Sequence, residues 1–222
     1  MKQPGILLIL MMVHHLSVAA IPRTTVQFKG GLIVAHMLIT DQSGYRGENE
    51  SVHEKSIIGG TGGIGVQVKI VDFLLIRPEA LFTMKGTVFT TSVGPFNEGL
   101  QLSYTCLDIP LYLVLSVPSV DFLLPQLYAG PVWSITAQAR YEHDENLTVY
   151  TERYTNPFDF SLSFGGGVST IIKNILISGE VRYSIGFRDV FSYTKDYHLE
   201  QQGMHRVFSI VFSLAPGKGY RN

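Results

Sequence analysis

The chain has 222 residues, enough for one domain with a full core. Its 17 Lys and Arg nearly cancel its 18 Asp and Glu, which excludes the basic excess of a nucleic-acid binder. The charged fraction is only 16%, where an average soluble domain carries about 25%, and the lone cysteine, Cys106, excludes an intrachain disulfide and any CxxC metal or redox motif.

In chain order, the first feature is a leader. Lys2 precedes an apolar run from Ile6 to Val13, and Ser17-Val18-Ala19-Ala20 closes it with small residues. A charged start, a short apolar stretch and a small-residue end form an export signal, with cleavage expected after Ala20. The run is shorter than the about 20 residues of a membrane helix. No later stretch is long and apolar enough to cross as a helix, so a spanning mature chain would have to be a closed barrel that pairs its own backbone groups.

From there the sequence reads as strands. Period-2 alternation predicts eight, at about 25–36, 57–71, 73–86, 100–115, 125–140, 157–171, 175–187 and 205–214. In the seventh, Ile175, Ile177, Val181, Tyr183, Ile185 and Phe187 share one parity, and Ser178, Glu180, Arg182 and Ser184 share the other. In the eighth, Phe208, Ile210, Phe212 and Leu214 alternate with Val207, Ser209, Val211 and Ser213. Long polar connections are expected at 37–56, 87–99, 141–156 and 188–204, and short joins near Asp72, at Ser116–Asp121 and at Lys173-Asn174. This long-short rhythm is that of an antiparallel up-and-down transmembrane barrel, with long outer loops on one rim and tight periplasmic turns on the other.

Alternation alone does not say which parity faces inward, because a soluble lipocalin-like barrel shows the same pattern inverted. Two features favour the membrane version. The polar parity is small, with Gly31, Gly59, Thr61, Gly63, Gly65, Ser161, Ser163, Gly165, Gly167, Ser178, Ser184 and Gly186, and a narrow eight-stranded lumen has space only for packed side chains. The same parity carries charges of both signs: Lys29, Lys69, Arg77, Lys85 and Arg182 with Glu79, Asp108, Asp159 and Glu180. Buried charges persist only when paired, so these nine are expected to form an ion network that fills the lumen. The opposite parity is nearly charge-free, and Phe28, Phe82, Trp133, Phe158, Phe187 and Phe208 on it fit aromatic girdles.

Several motifs, in order, resemble the PorT-like outer-membrane β-barrel family of Bacteroidetes-type bacteria. They are Lys29-Gly30-Gly31-Leu32, Arg77 through Gly86, Leu107-Asp108-Ile109-Pro110-Leu111, Ala129-Gly130-Pro131-Val132, Phe158-Asp159-Phe160 with Phe164-Gly165-Gly166-Gly167-Val168, and Gly179 through Phe187. Phe82 stands where the family usually has Tyr, and Ala215–Asn222 follow the last strand where many barrels end on an aromatic residue. The resemblance implies the fold and an outer-membrane location, and it implies little about activity.

No catalytic, metal or cofactor site emerges. Glu142, His143, Asp144 and Glu145 read as a solvated acidic loop, since no serine can be placed beside His143 for acyl transfer. His53, His143 and His198 lack the spacing of a metal motif, and Gly62-Gly63-Ile64-Gly65 is not followed by the helix a phosphate loop needs. The expectation is a non-enzymatic barrel with a structural, adhesive or transport-accessory role. It would contact membrane lipid through its wall and envelope or extracellular proteins through its four long loops. The competing expectation is a narrow pore or a small-ligand barrel that uses the lumen.

Overall fold

The computed structural model describes residues 24–39, 51–93, 96–117, 123–143, 147–150, 157–187 and 203–217. The leader expected at residues 1–20 lies outside the described residues, as do 40–50 and 188–202 of the long connections. The strands are β1 (Thr24–Ile39), β2 (Ser51–Val71), β3 (Leu74–Val93), β4 (Phe96–Ser116), β5 (Leu124–His143), β6 (Leu147–Tyr150), β7 (Phe158–Ile172), β8 (Ile175–Gly186) and β9 (Gly203–Pro216). All pairings are antiparallel, and β9 returns to β1, which closes an 8-strand barrel. The remaining strand, β6, pairs only with the outer end of β5, Arg140–His143, where it continues the line that β7 follows lower down.

Closure puts one parity of each strand inside. On β9, His205, Val207, Ser209, Val211, Ser213 and Ala215 are buried, whereas Phe208, Ile210, Phe212 and Leu214 are exposed. β1 repeats this, with Thr25, Gln27, Lys29, Ile33 and Ala35 inside and Val26, Phe28, Leu32 and Val34 outside. The outside is therefore a continuous hydrocarbon belt. From Val26 to Val34 it rises roughly 20 Å at about 3.3 Å per residue and a tilt near 40°, close to the apolar height of an outer-membrane barrel. A patch of this extent is unsuited to water.

The short joins tighten one rim. Lys173 and Asn174 have φ of 49° and 65°, the two left-handed positions of a two-residue hairpin that follows the strand twist. Above this rim an apolar cluster of Leu75, Tyr112, Val114, Leu124, Tyr128, Leu176 and Ala215 fills the lumen.

The expected loop at 87–99 is a correction. β3 runs on to Val93 and β4 starts at Phe96, paired from Thr87↔Leu102 to Val93↔Phe96, so the segment is mostly a hairpin. Residues 37–39 and 51–56 of the first expected loop, 141–143 and 147–150 of the third and 203–204 of the fourth are strand as well. The apolar parity ends where the lipid ends, while backbone pairing continues into water. A reading based on apolar alternation therefore stops too early.

Candidate functional site

The distinctive site is the barrel interior. Lys29 on β1, Arg77 and Glu79 on β3, and Glu180 and Arg182 on β8 point inward because they share the lumen parity, and each is buried. Glu180 binds Arg77 through two bonds, Nη1 to Oε1 and Nη2 to Oε2, both at 3.0 Å. Glu79 binds Arg182 likewise, with Nη1 donating to Oε2 at 2.7 Å and Nη2 to Oε1 at 3.0 Å. Arg182 also donates to Glu180 Oε2 from Nη2 at 2.6 Å and from Nε at 3.2 Å. Lys29 Nζ lies between the acids, 3.1 Å from Glu79 and 2.9 Å from Glu180. Arg77 Nε is 3.0 Å from Glu79 Oε1 but turned out of hydrogen-bond alignment. Two-point guanidinium–carboxylate bonds of this kind are among the strongest side-chain pairings.

Tyrosines wall this network. The Arg77 guanidinium carbon stands 4.7 Å from the Tyr128 ring centre and that of Arg182 stands 5.0 Å from the Tyr112 ring centre, both within cation–π reach. Tyr112 Oη donates to Ser163 Oγ at 3.1 Å, and Tyr128 Oη donates to the Val181 carbonyl at 3.0 Å. Small residues make this bulk possible. A Cβ on Gly65 would sit 3.1 Å from Lys29 Cε and 3.2 Å from Glu79 Cγ, and one on Gly165 would meet the Tyr128 hydroxyl at 2.7 Å.

The remaining expected charges fall elsewhere. Lys85 Nζ donates to Asp108 Oδ1 at 2.8 Å and to Ser134 Oγ at 3.2 Å, and Ser134 Oγ donates to the same Asp108 oxygen. Asp159 lies beside His205, with Nε2 to Oδ2 at 3.1 Å. These form a second polar layer toward the long-loop rim. Lys69 joins neither layer, a correction to its expected place. It pairs with Asp72 at 2.6 Å at the short-turn rim, where β2 ends and both side chains reach water. Between the layers lies a cavity of about 40 Å³ lined by Thr83, Lys85, Asp108, Tyr112, Arg182 and Ser209 among others. That is space for water-sized occupants only.

Sequence reasoning missed Tyr128, Ser134 and His205 as members of these layers. Each sits on the lumen parity of its strand, so parity was the available signal. Ser134 stands directly opposite Asp108 on the adjacent strand, whereas Arg77 beside Tyr128 and Asp159 beside His205 lie two strands away, and none of these partners has a signature along the chain. The girdle reading is refined as well. Phe28, Phe82, Trp133, Phe158, Phe187 and Phe208 are all exposed, but Phe28 and Phe82 lie within the belt. Phe160 packs between Trp133 and Phe187 at the long-loop end, with ring centres 6.0 and 6.2 Å away. Gly62 to Gly65 are wall residues of β2. Glu142 and His143 end β5 and His53 lies in β2, while Asp144, Glu145 and His198 lie outside the described residues. No cluster of three metal-ligating side chains occurs among the described residues.

A family model described as outer membrane protein beta-barrel domain matches residues 22–192. No curated protein matches the chain. Among solved structures the chain is similar to the outer membrane protein OprG from Pseudomonas aeruginosa, at 11% identity and a TM-score of 0.50, over 86% of this chain and 95% of that one. It is also similar to Neisserial surface protein A, NspA, at 11% identity and a TM-score of 0.47, over 85% of this chain and 96% of that one. A third similar structure is Ail, the attachment invasion locus protein of Yersinia pestis, at 9% identity and a TM-score of 0.38, over 87% of this chain and 99% of that one. At such identities the OprG likeness concerns the fold alone.

Proposed function

The chain belongs to the outer membrane protein beta-barrel domain family, and on that premise we propose that it is a sealed, non-enzymatic barrel whose work is done at its long-loop rim. The outer membrane is its location. Within that membrane the barrel serves as a rigid mount for its long-loop rim, the hairpin of β3 and β4 and the outer strand ends at 51–56 and 141–143 together with the segments 40–50 and 188–202, which present a contact surface for envelope or extracellular proteins in an adhesive, structural or transport-accessory role. The PorT-like relationship suggested by the ordered motifs, and removal of the leader near Ala20, belong to the same reading.

One observation carries the sealed barrel: three cations and two carboxylates meet across the lumen and are cross-linked by hydrogen bonds. Each carboxylate engages all three cations, so opening a path would strand several charges in a low dielectric, at a cost of several kcal/mol for each ion. The cavity above the network is far smaller than the about 300 Å³ and upward of small-molecule sites, which disfavours the ligand-binding alternative.

Planar-bilayer recording tests the reading. The wild-type barrel and Glu79→Ala should both lack a steady conductance, with Glu79→Ala less stable. A new steady pore in Glu79→Ala would replace the plug with a gate.

A further inference from the structure

The plug does not balance its charge. Lys29, Arg77 and Arg182 bring three cations, and Glu79 and Glu180 bring two carboxylates, so one positive charge is left over among buried groups. Lys85 and Asp108 cancel each other in the next layer. Asp159, the carboxylate beyond them, stands against His205 and is not one of the residues around the cavity between the layers. A buried charge without a counterion is unfavourable, so a net-positive interior favours an anion in the nearest open space.

That space adjoins the network. The cavity of about 40 Å³ is bounded by Arg182, which belongs to the plug, and by Lys85. An ammonium has three N–H donors. Asp108 and Ser134 take two of those on Lys85, and no acceptor among the described residues takes the third. Thr61 and Thr83, also on the cavity wall, share one hydrogen bond at 3.0 Å, which uses one of their two hydroxyl hydrogens and leaves the other. Ser161, Ser184 and Ser209 add hydroxyls from β7, β8 and β9. The charged wall groups, Arg182 and Lys85 against Asp108, again sum to one positive charge. These donors surround a space too small for an organic molecule and large enough for one monovalent ion with little water.

We infer that this cavity is a site for one small monovalent anion, chloride in ordinary salt, held by the Lys85 ammonium and the surrounding hydroxyls. The ion balances the excess charge of the plug and is a structural part of the folded barrel. The site rests on the filled lumen of the sealed-barrel reading, but the two fail separately. A cavity without an anion would leave the ion pairs of the plug in place, and a steady conductance would show whether or not a halide is bound.

The test begins with crystals of the full chain grown in bromide. Data collected at the bromine absorption edge should show an anomalous peak in the cavity, within hydrogen-bond reach of Lys85 Nζ. In urea unfolding from lipid vesicles at constant ionic strength, replacing gluconate by chloride should stabilise the barrel. Once the site is saturated, each tenfold rise in chloride should shift the unfolding equilibrium toward the folded state by up to tenfold. Sulfate, larger and divalent, should not replace chloride. Ser209→Val fills the cavity from a position flanked on the same face by buried Val207 and Val211, and should remove both the peak and the chloride dependence. Lys69→Ala, which removes a lysine at the wet rim, should keep both. Should Ser209→Val not fold, as heat-modifiable gel migration would show, the wild-type peak and chloride dependence decide alone. A cavity that holds only water, or equal stability in chloride and gluconate, overturns the proposal. So does a chloride dependence that survives in folded Ser209→Val. A bromide peak without chloride-dependent stability is binding at crystal concentration only and overturns it too. Planar-bilayer recording in chloride and in gluconate keeps the two readings apart, since no steady conductance in either salt upholds the seal whatever the halide result.

Discussion

Neighbouring residues on one strand live in opposite surroundings here. Lys29, Arg77 and Arg182 are buried among paired charges, while Phe28, Ile76 and Val181, each one position earlier, are exposed to the membrane side. The wall inverts the order of a soluble barrel, because its solvent is hydrocarbon and its core is polar. The inner face holds together by pairing charges away from water. The outer face holds only if it carries none. A shift of one residue in register would exchange the two faces, so each face also enforces the register of the other.

The comparison is most sharply broken at Glu180 and Val181, which are adjacent in β8. Glu180→Ala leaves Arg77, Arg182 and Lys29 sharing one carboxylate, and should destabilise the barrel by about 3–5 kcal/mol, the cost of breaking a buried ion pair from one side. Urea unfolding from lipid vesicles, followed by fluorescence of Trp133, the chain's one tryptophan, measures this. Val181→Arg puts a charge on the opposite face of the same strand and should cost about 2–4 kcal/mol in the same assay. An effect near zero for Val181→Arg would mean that this face is not in lipid.

Smaller changes sharpen the contrast within the interior. Gly165→Leu drives a Cβ into the Val181 backbone carbonyl and against the Tyr128 ring that backs Arg77, and should cost at least about 1–3 kcal/mol by overpacking, with a changed near-ultraviolet aromatic signal. Lys69→Ala removes a charge from the same lumen parity but at the wet rim, where its partner Asp72 is largely exposed. It should change stability by less than about 1 kcal/mol. A Lys69 effect as large as that of Glu180 would show that the rim pair is part of the plug.

Much of this was legible along the chain, and the limits have physical causes. Strands β7, β8 and β9 were readable because lipid on one side and a crowded lumen on the other impose alternation at every position. The end of β3 and the start of β4 were not, because Thr87 to Val93 and Phe96 to Gly99 lie beyond the belt, where no apolar parity is imposed. The charges of the network could be named from parity. Lys69 could not be told apart from them, because parity reports direction and not height.

The sequence by itself determined the eight strands of the barrel wall, the two faces of each and the choice of side chains small enough to admit a charged core. All of these are written in local period and residue size. Only the tertiary structure decided who meets whom. Lys29 reaches Glu180 and Arg77 reaches Glu180 across the lumen, between residues 151 and 103 positions apart. Those encounters depend on the stagger of strands at closure, where β9 returns to β1, and stagger is a property of the whole circuit rather than of any segment.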